Sequence, residues 1–192
     1  YYEAIDTLKG MISRPSFSRD EAAVADFLQQ SWQAAGHTVH RKGNNLWIVS
    51  PGFDLNKPTL LLNSHIDTVK PASGWTKDPF HPEESEDEKL YGLGSNDAGA
   101  SVVSLYAAFS LLTGKEQAYN LIFLASCEEE VSGKNGLESV LPDLPPIAFA
   151  ASIYSISRTV KTALRTNLAK VGTEAIAREI TRLMILAPAL LQ

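Results

Sequence analysis

The sequence has a single cysteine, no histidine after His81, and no apolar run near the ~20 residues that a membrane-spanning helix requires. Each shortage excludes something. One cysteine, Cys127, cannot close an internal disulfide and rules out every multi-cysteine zinc arrangement, so a metal would have to be held by His and carboxylates. The opening residues lack the basic-then-apolar layout of a signal peptide, which makes the cytoplasm the expected location. Internal repeats and low-complexity tracts are also absent. The chain nevertheless has 192 residues, 44% hydrophobic and 20% charged, enough to bury a core of its own.

Positive charge is scarce over most of the chain. Residues 151–192 carry six Lys and Arg against two Glu, a net of +4, so the overall −5 leaves −9 for residues 1–150. An acidic body argues against nucleic acid as a partner and suits a site that concentrates cations, either metal ions or a basic amino-acid substrate.

Patterning gives the elements. Ser18 and Glu21 form an S-x-x-E capping box ahead of Ala22, Val24, Phe27, Leu28 and Trp32, with Gly36 at the stop, which predicts an amphipathic helix over 18–35 preceded by a shorter one. His37–Arg41 and Leu46–Ser50, separated by Gly43-Asn44-Asn45, read as a β-hairpin. Thr59–Asn63 and Asn120–Ser126 are short apolar runs of the kind found in buried strands. A polar loop from Pro71 to Lys89 leads to a short strand at Leu90–Leu93, a helix over 97–113 closed by Gly114, and another from Lys134 to Val140. The tail, from about 158 to 186, reads as one or two helices. Strands alternating with helices predict an α/β fold, a sheet flanked by helices in three layers.

Three polar clusters fall where apolar strands end: Asn63 to Thr68, Gly94 to Gly99, and Cys127 to Glu130. In open α/β sheets, ligands bind beyond the carboxyl ends of the strands, so the clusters can converge. His65 and Asp67 are two apart in extended chain and share a face, which lets the carboxylate hold one imidazole nitrogen while the other ligates a metal. Asp97 can offer an oxygen to each of two cations, or cap the following helix. Within the Glu run, one carboxylate can bind metal and a neighbour can take a proton from water. Cys127 is expected to be inert, and His81 is left without a role.

These residues also carry a resemblance. SHIDTV, GLGSNDAGAS and CEEEVSGKNG, in that order and about thirty residues apart, resemble the M20 metallopeptidase family, and Gly74-Trp75-Thr76-Lys77-Asp78-Pro79-Phe80 is similar to its stretch between the first two motifs. The likeness runs to about Ala150. It implies a zinc-exopeptidase-like catalytic domain over residues 1–150, without the family's lid or dimerisation domain, and a basic helical tail at 151–192 unlike the family's pattern. It further implies two zinc ions per site, cobalt or manganese being substitutes, with His65, Asp97 and Glu130 as metal ligands, Asp67 orienting His65, and Glu129 as general base. The implied reaction is hydrolysis of the amide of an N-acyl amino acid, N-acetylornithine in arginine biosynthesis being favoured. A dipeptidase or succinyl-diaminopimelate desuccinylase is the alternative, and a fold remnant without activity is a second class. Partners would be small N-acyl amino acids or dipeptides, with neither nucleic acid nor membrane involved, and homodimers are frequent in the family.

The sequence departs from the family in two places. Asn96 precedes the bridging Asp97 and Ala98-Gly99 follow it, and neither a Gly-Glu-Pro-Thr-like segment after Pro146 nor a later His is present. With three ligands for two cations, the chain by itself is expected to bind metal weakly and to have little activity.

Overall fold

The computed structural model describes residues 2–86 and 89–152. The predicted tail helices lie outside the described residues. Three helices, α1 (Tyr2–Ile12), α2 (Ala22–Ala34) and α3 (Ala100–Thr113), pack on one face of a five-stranded sheet. Its strands are β1 (Val39–Lys42), β2 (Asn45–Val49), β3 (Thr59–His65), β6 (Asn120–Ser126) and β7 (Phe149–Ser152), in the order β1-β2-β6-β3-β7. Strands β6, β3 and β7 run parallel, while β1 and β2 pair antiparallel and join β6 from the other direction. A separate two-stranded ribbon pairs β4 (Glu83–Glu84) with β5 (Leu90–Tyr91).

The arrangement follows from which faces are apolar. Every residue of TLLLNSH in β3 and NLIFLAS in β6 is buried, so these strands need cover on both sides. The period-two alternation of a strand divides them between two cores. Leu46, Ile48, Leu60, Leu62, Leu121 and Phe123 meet α1, α2 and α3. Trp47, Leu61, Ile122 and Leu124 face the other way, against Val140, Leu137 and Ile147. That second cover is a short helix, α4 (Leu137–Val140), and the turn after it. The three layers expected from the sequence are therefore present.

Trp32 anchors the larger core. It is fully buried, stacks on Tyr106 at 5.2 Å between ring centroids, and meets Phe123 edge-on at 5.2 Å. Truncating it removes a large apolar volume that the flanking rings cannot refill. Trp32→Ala is expected to cost about 3–5 kcal/mol in urea unfolding, and a loss under 1 kcal/mol would place the packing elsewhere.

Several boundaries differ from the sequence reading. The hairpin has a two-residue loop, Gly43-Asn44, with Gly43 at φ 60, a conformation glycine adopts without strain. Helix α2 starts at Ala22, not 18, because residues 17–20 form a turn tied to the loop after β3: Phe17 bridges Thr68, and Thr68 N–H donates to Ser16 O at 2.8 Å. Ser18 and Glu21 do not form a capping box; their side chains are engaged elsewhere. Helix α3 starts at Ala100, not 97, because Asp97 (φ −117, ψ 95) and Ala98 (φ −127, ψ 24) are not helical. Asp97 therefore does not cap α3. The strand at 90–93 shortens to two residues, and α4 spans four. Strand β7, beside β3, is an element the sequence reading left out. No described helix is long and apolar enough to cross a membrane.

Candidate metal centre

The parallel pairing of β3 with β6 sets His65 opposite Ser126, so the loops leaving the two strands start side by side. The chain after β6 turns sharply through Glu128, in the left-handed region at φ 54, and forms a tight turn over Glu129–Val131. Gly133 permits this: a Cβ there would lie 1.9 Å from Glu128 Oε2. The kinked segment before α3 brings Asp97 to the same place.

The five residues singled out in the sequence converge here. His65, almost wholly buried, has Nδ1 3.0 Å from the Asp67 carbonyl oxygen and 3.3 Å from Asp67 Oδ1. With Nδ1 donating, Nε2 is the nitrogen left to face the open side. It lies 3.1 Å from Asp97 Oδ1 and 3.8 Å from Glu129 Oε2. One ligand atom each from His65, Glu129 and Glu130 can be chosen so that all lie within 4.8 Å of one another.

Asp67 contacts more than the imidazole. Its Oδ1 accepts the backbone N–H of Glu129 at 3.0 Å, and its Oδ2 accepts that of Glu130 at 3.1 Å and the Ser18 hydroxyl at 2.7 Å. One buried carboxylate thus ties the β3 loop to both glutamates of the β6 loop. The shorter contact to His65 comes from the Asp67 main chain.

The electrostatics show a surplus of negative charge. Burial alone would lower the His65 pKa, but the Asp67 hydrogen bond and the charges of Asp67, Glu129 and Asp97 raise it to about 9. Burial would raise the Asp67 carboxyl, yet its contacts with His65, Ser18 and the two backbone N–H groups hold it below the usual carboxylate range. Glu130 is pushed up, first by burial and then by Asp97, Glu129 and Asp67, with His65 opposing. Four carboxylates around one imidazole make a place where a divalent cation relieves repulsion. Mixed nitrogen and oxygen donors suit zinc, cobalt or manganese.

Cys127 sits behind this loop. It is buried, its Sγ donates to Asn135 O at 3.4 Å, and burial together with the Glu21 and Glu128 charges pushes its thiol up to about 12. A thiol so held is no nucleophile. The side chains that sequence reasoning missed are Ser18, Glu21 and Glu128. Glu21 and Glu128 are buried carboxylates satisfied by hydrogen-bond donors, and Ser18 touches the site through Asp67.

The model of Peptidase family M20/M25/M40 matches residues 61–166. Succinyl-diaminopimelate desuccinylase of Erythrobacter litoralis is 27% identical to the chain, over 83% of the chain and 47% of the relative. Human carnosine dipeptidase 1 shares the fold with a TM-score of 0.65 at 20% identity, covering 80% of this chain and 38% of that one. A Bacillus subtilis protein described as a dinuclear metal binding peptidase from the M20 family superposes with a TM-score of 0.62 at 16% identity, over 80% of this chain and 42% of that one. The chain spans about half the length of this curated relative, the desuccinylase.

Proposed function

The chain belongs to peptidase family M20/M25/M40, and from that premise we propose that it carries the metal-holding half of an amidohydrolase acting on N-acyl amino acids or dipeptides. The observation that carries this reading is the gathering of His65, Glu129 and Glu130 donor atoms within 4.8 Å, backed by one buried carboxylate, Asp67. In this proposal His65, Asp97 and Glu130 would hold the metal, Asp97 Oδ1 lying 3.1 Å from His65 Nε2. When bound, divalent cations supply Lewis acidity, lowering the pKa of water and polarising an amide carbonyl.

The chain's own residues do the rest. Glu129, 3.8 Å from His65 Nε2 and about one-third exposed, stands at the edge of the donor cluster where water can reach it. It takes the proton of the attacking water as the new C–O bond forms at the amide carbon. It then gives that proton to the leaving nitrogen as the C–N bond breaks. Asp67 fixes both the imidazole and the backbone that presents Glu129, so the acceptor stays aimed while the proton moves. Asp97, 60% exposed at its side chain, keeps the open side of the site negative and favourable to a cation or an ammonium-bearing substrate.

One curated relative is a desuccinylase and a structural neighbour is a dipeptidase, which supports those two alternatives. The preference for N-acetylornithine rests on the sequence resemblance alone and remains one member of the proposed class. The test is zinc uptake by the metal-free chain, followed by product release from N-acetylornithine, N-succinyl-diaminopimelate and an unblocked dipeptide at saturating zinc. Zinc is expected to raise the unfolding midpoint, by an amount equivalent to about 2.7 kcal/mol at 100 times its Kd. One of the three substrates is expected to turn over, slowly because only three candidate ligands serve two cations, and to stop on chelation. No zinc-dependent shift and no turnover would overturn the reading.

A further inference from the structure

The S-x-x-E pair that reads as a helix cap in sequence is occupied by the site instead. We propose that Ser18 and Glu21 are positioning residues: the turn before α2 clamps the loop that presents Glu129 and Glu130. The proposal rests on the reading of those glutamates given above, and adds to it a part of the chain more than forty residues from any candidate ligand.

The geometry supplies two jaws. Ser18 Oγ donates to Asp67 Oδ2 at 2.7 Å, and that oxygen also accepts the Glu130 N–H at 3.1 Å. A carboxylate held by a hydroxyl cannot rotate away from the N–H groups it serves, so Ser18 fixes the plane in which Asp67 holds both glutamates. The second jaw is Glu21. It is fully buried, and its Oε1 accepts the Glu128 N–H at 3.2 Å and the Arg19 N–H at 2.7 Å, while Oε2 accepts Asn44 Nδ2 at 2.8 Å. Glu128, Glu129 and Glu130 therefore each have their backbone N–H tied to a buried carboxylate, the first to Glu21 and the other two to Asp67.

The need for such a clamp is local. Glu128 is in the left-handed region, which non-glycine residues seldom adopt, and the following turn is only three residues long. The loop's own hydrogen bonds, Ser132 N–H to Glu129 O and Gly133 N–H to Glu128 O, close the turn and leave the N–H groups of Glu128, Glu129 and Glu130 to be met from outside it. The clamp itself is anchored by backbone: Thr68 N–H donates to Ser16 O at 2.8 Å, and Phe17 bridges Thr68. A burial-only role for Glu21 would be served by an apolar side chain. A buried carboxylate with three separate N–H donors points to a specific anchoring task.

The test compares Ser18→Ala, Ser18→Thr and Glu21→Gln with the wild type in the 192-residue chain. Two quantities are read: hydrogen exchange at the Glu129 and Glu130 amides without metal, and the zinc Kd well below the unfolding midpoint. Ser18→Ala is expected to speed exchange at those two amides and to weaken zinc about 10-fold, the lower end of the range for residues that support a ligand. Ser18→Thr keeps the hydroxyl and is expected to restore both. Glu21→Gln is expected to speed exchange at Glu128 as well. Unchanged exchange and unchanged Kd in Ser18→Ala would overturn the proposal, as would a threonine variant no better than alanine. If the wild type takes up no zinc, the metal-centre reading fails, and the exchange data still decide the clamp by the same criterion.

Discussion

Replacing Glu129 with glutamine is expected to lower kcat by about 10²–10⁴-fold at saturating zinc, the usual share of a positioned proton acceptor, while zinc uptake and the fold persist. The amide of glutamine has the shape of the carboxylate and can still approach His65 Nε2, but it cannot accept and return a proton at neutral pH. The Glu129 N–H bond to Asp67 is a backbone contact and survives the change. The matching Glu130→Gln variant is expected to behave differently. It removes a charged donor from the cluster of His65, Glu129 and Glu130, so it should weaken zinc as well as rate. Stopped turnover with intact zinc affinity in one variant, and coupled losses in the other, would separate acceptor from ligand in the Glu run. If both lose zinc equally and neither shows a rate defect at saturation, Glu129 is a ligand and the proton acceptor lies elsewhere.

How much of this could be read in advance depends on the range of the interaction. Strands β3 and β6 were legible because the runs Thr59–Asn63 and Asn120–Ser126 leave no solvent face, with β3 extending two residues further to His65, and the hairpin because Gly43 sits between two runs rich in Val, Ile and Trp. His65, Asp67, Asp97, Glu129 and Glu130 were legible as a set because each lies in a polar cluster at the end of an apolar run, and the parallel pair β3 and β6 carries two of those clusters to one side. What failed was decided by partners distant in the chain. Ser18 caps nothing because Asp67, 49 positions away, takes its hydroxyl. Glu21 meets Glu128 across 107 positions. Asp97 stays outside the helix, its backbone non-helical and its carboxylate against His65. Strand β7 is only four residues, FAAS, and exists because β3 offers it an edge.

Asp67→Ala is expected to be among the most damaging substitutions in the chain. Asp67 is fully buried, and its two oxygens serve the Ser18 hydroxyl and the N–H groups of Glu129 and Glu130, with His65 Nδ1 at 3.3 Å. Removing the carboxylate leaves three donors without acceptors in a place water reaches poorly, and takes the counter-charge from a buried imidazole. Breaking one side of a buried ionic pair costs about 3–5 kcal/mol, which the unfolding free energy in urea should register. Zinc affinity is expected to fall by about 10–100-fold, because both the imidazole and the glutamate backbone lose their fixed orientation. Asp67→Asn separates the two losses. It keeps the volume and one acceptor oxygen, so much of the stability should return, but its NH2 group faces a donor and cannot hold both N–H groups at once. Zinc affinity in the asparagine variant is therefore expected to stay low while stability recovers. If affinity instead recovered in step with stability, Asp67 would act as packing for the loop and not as the group that aims the donors.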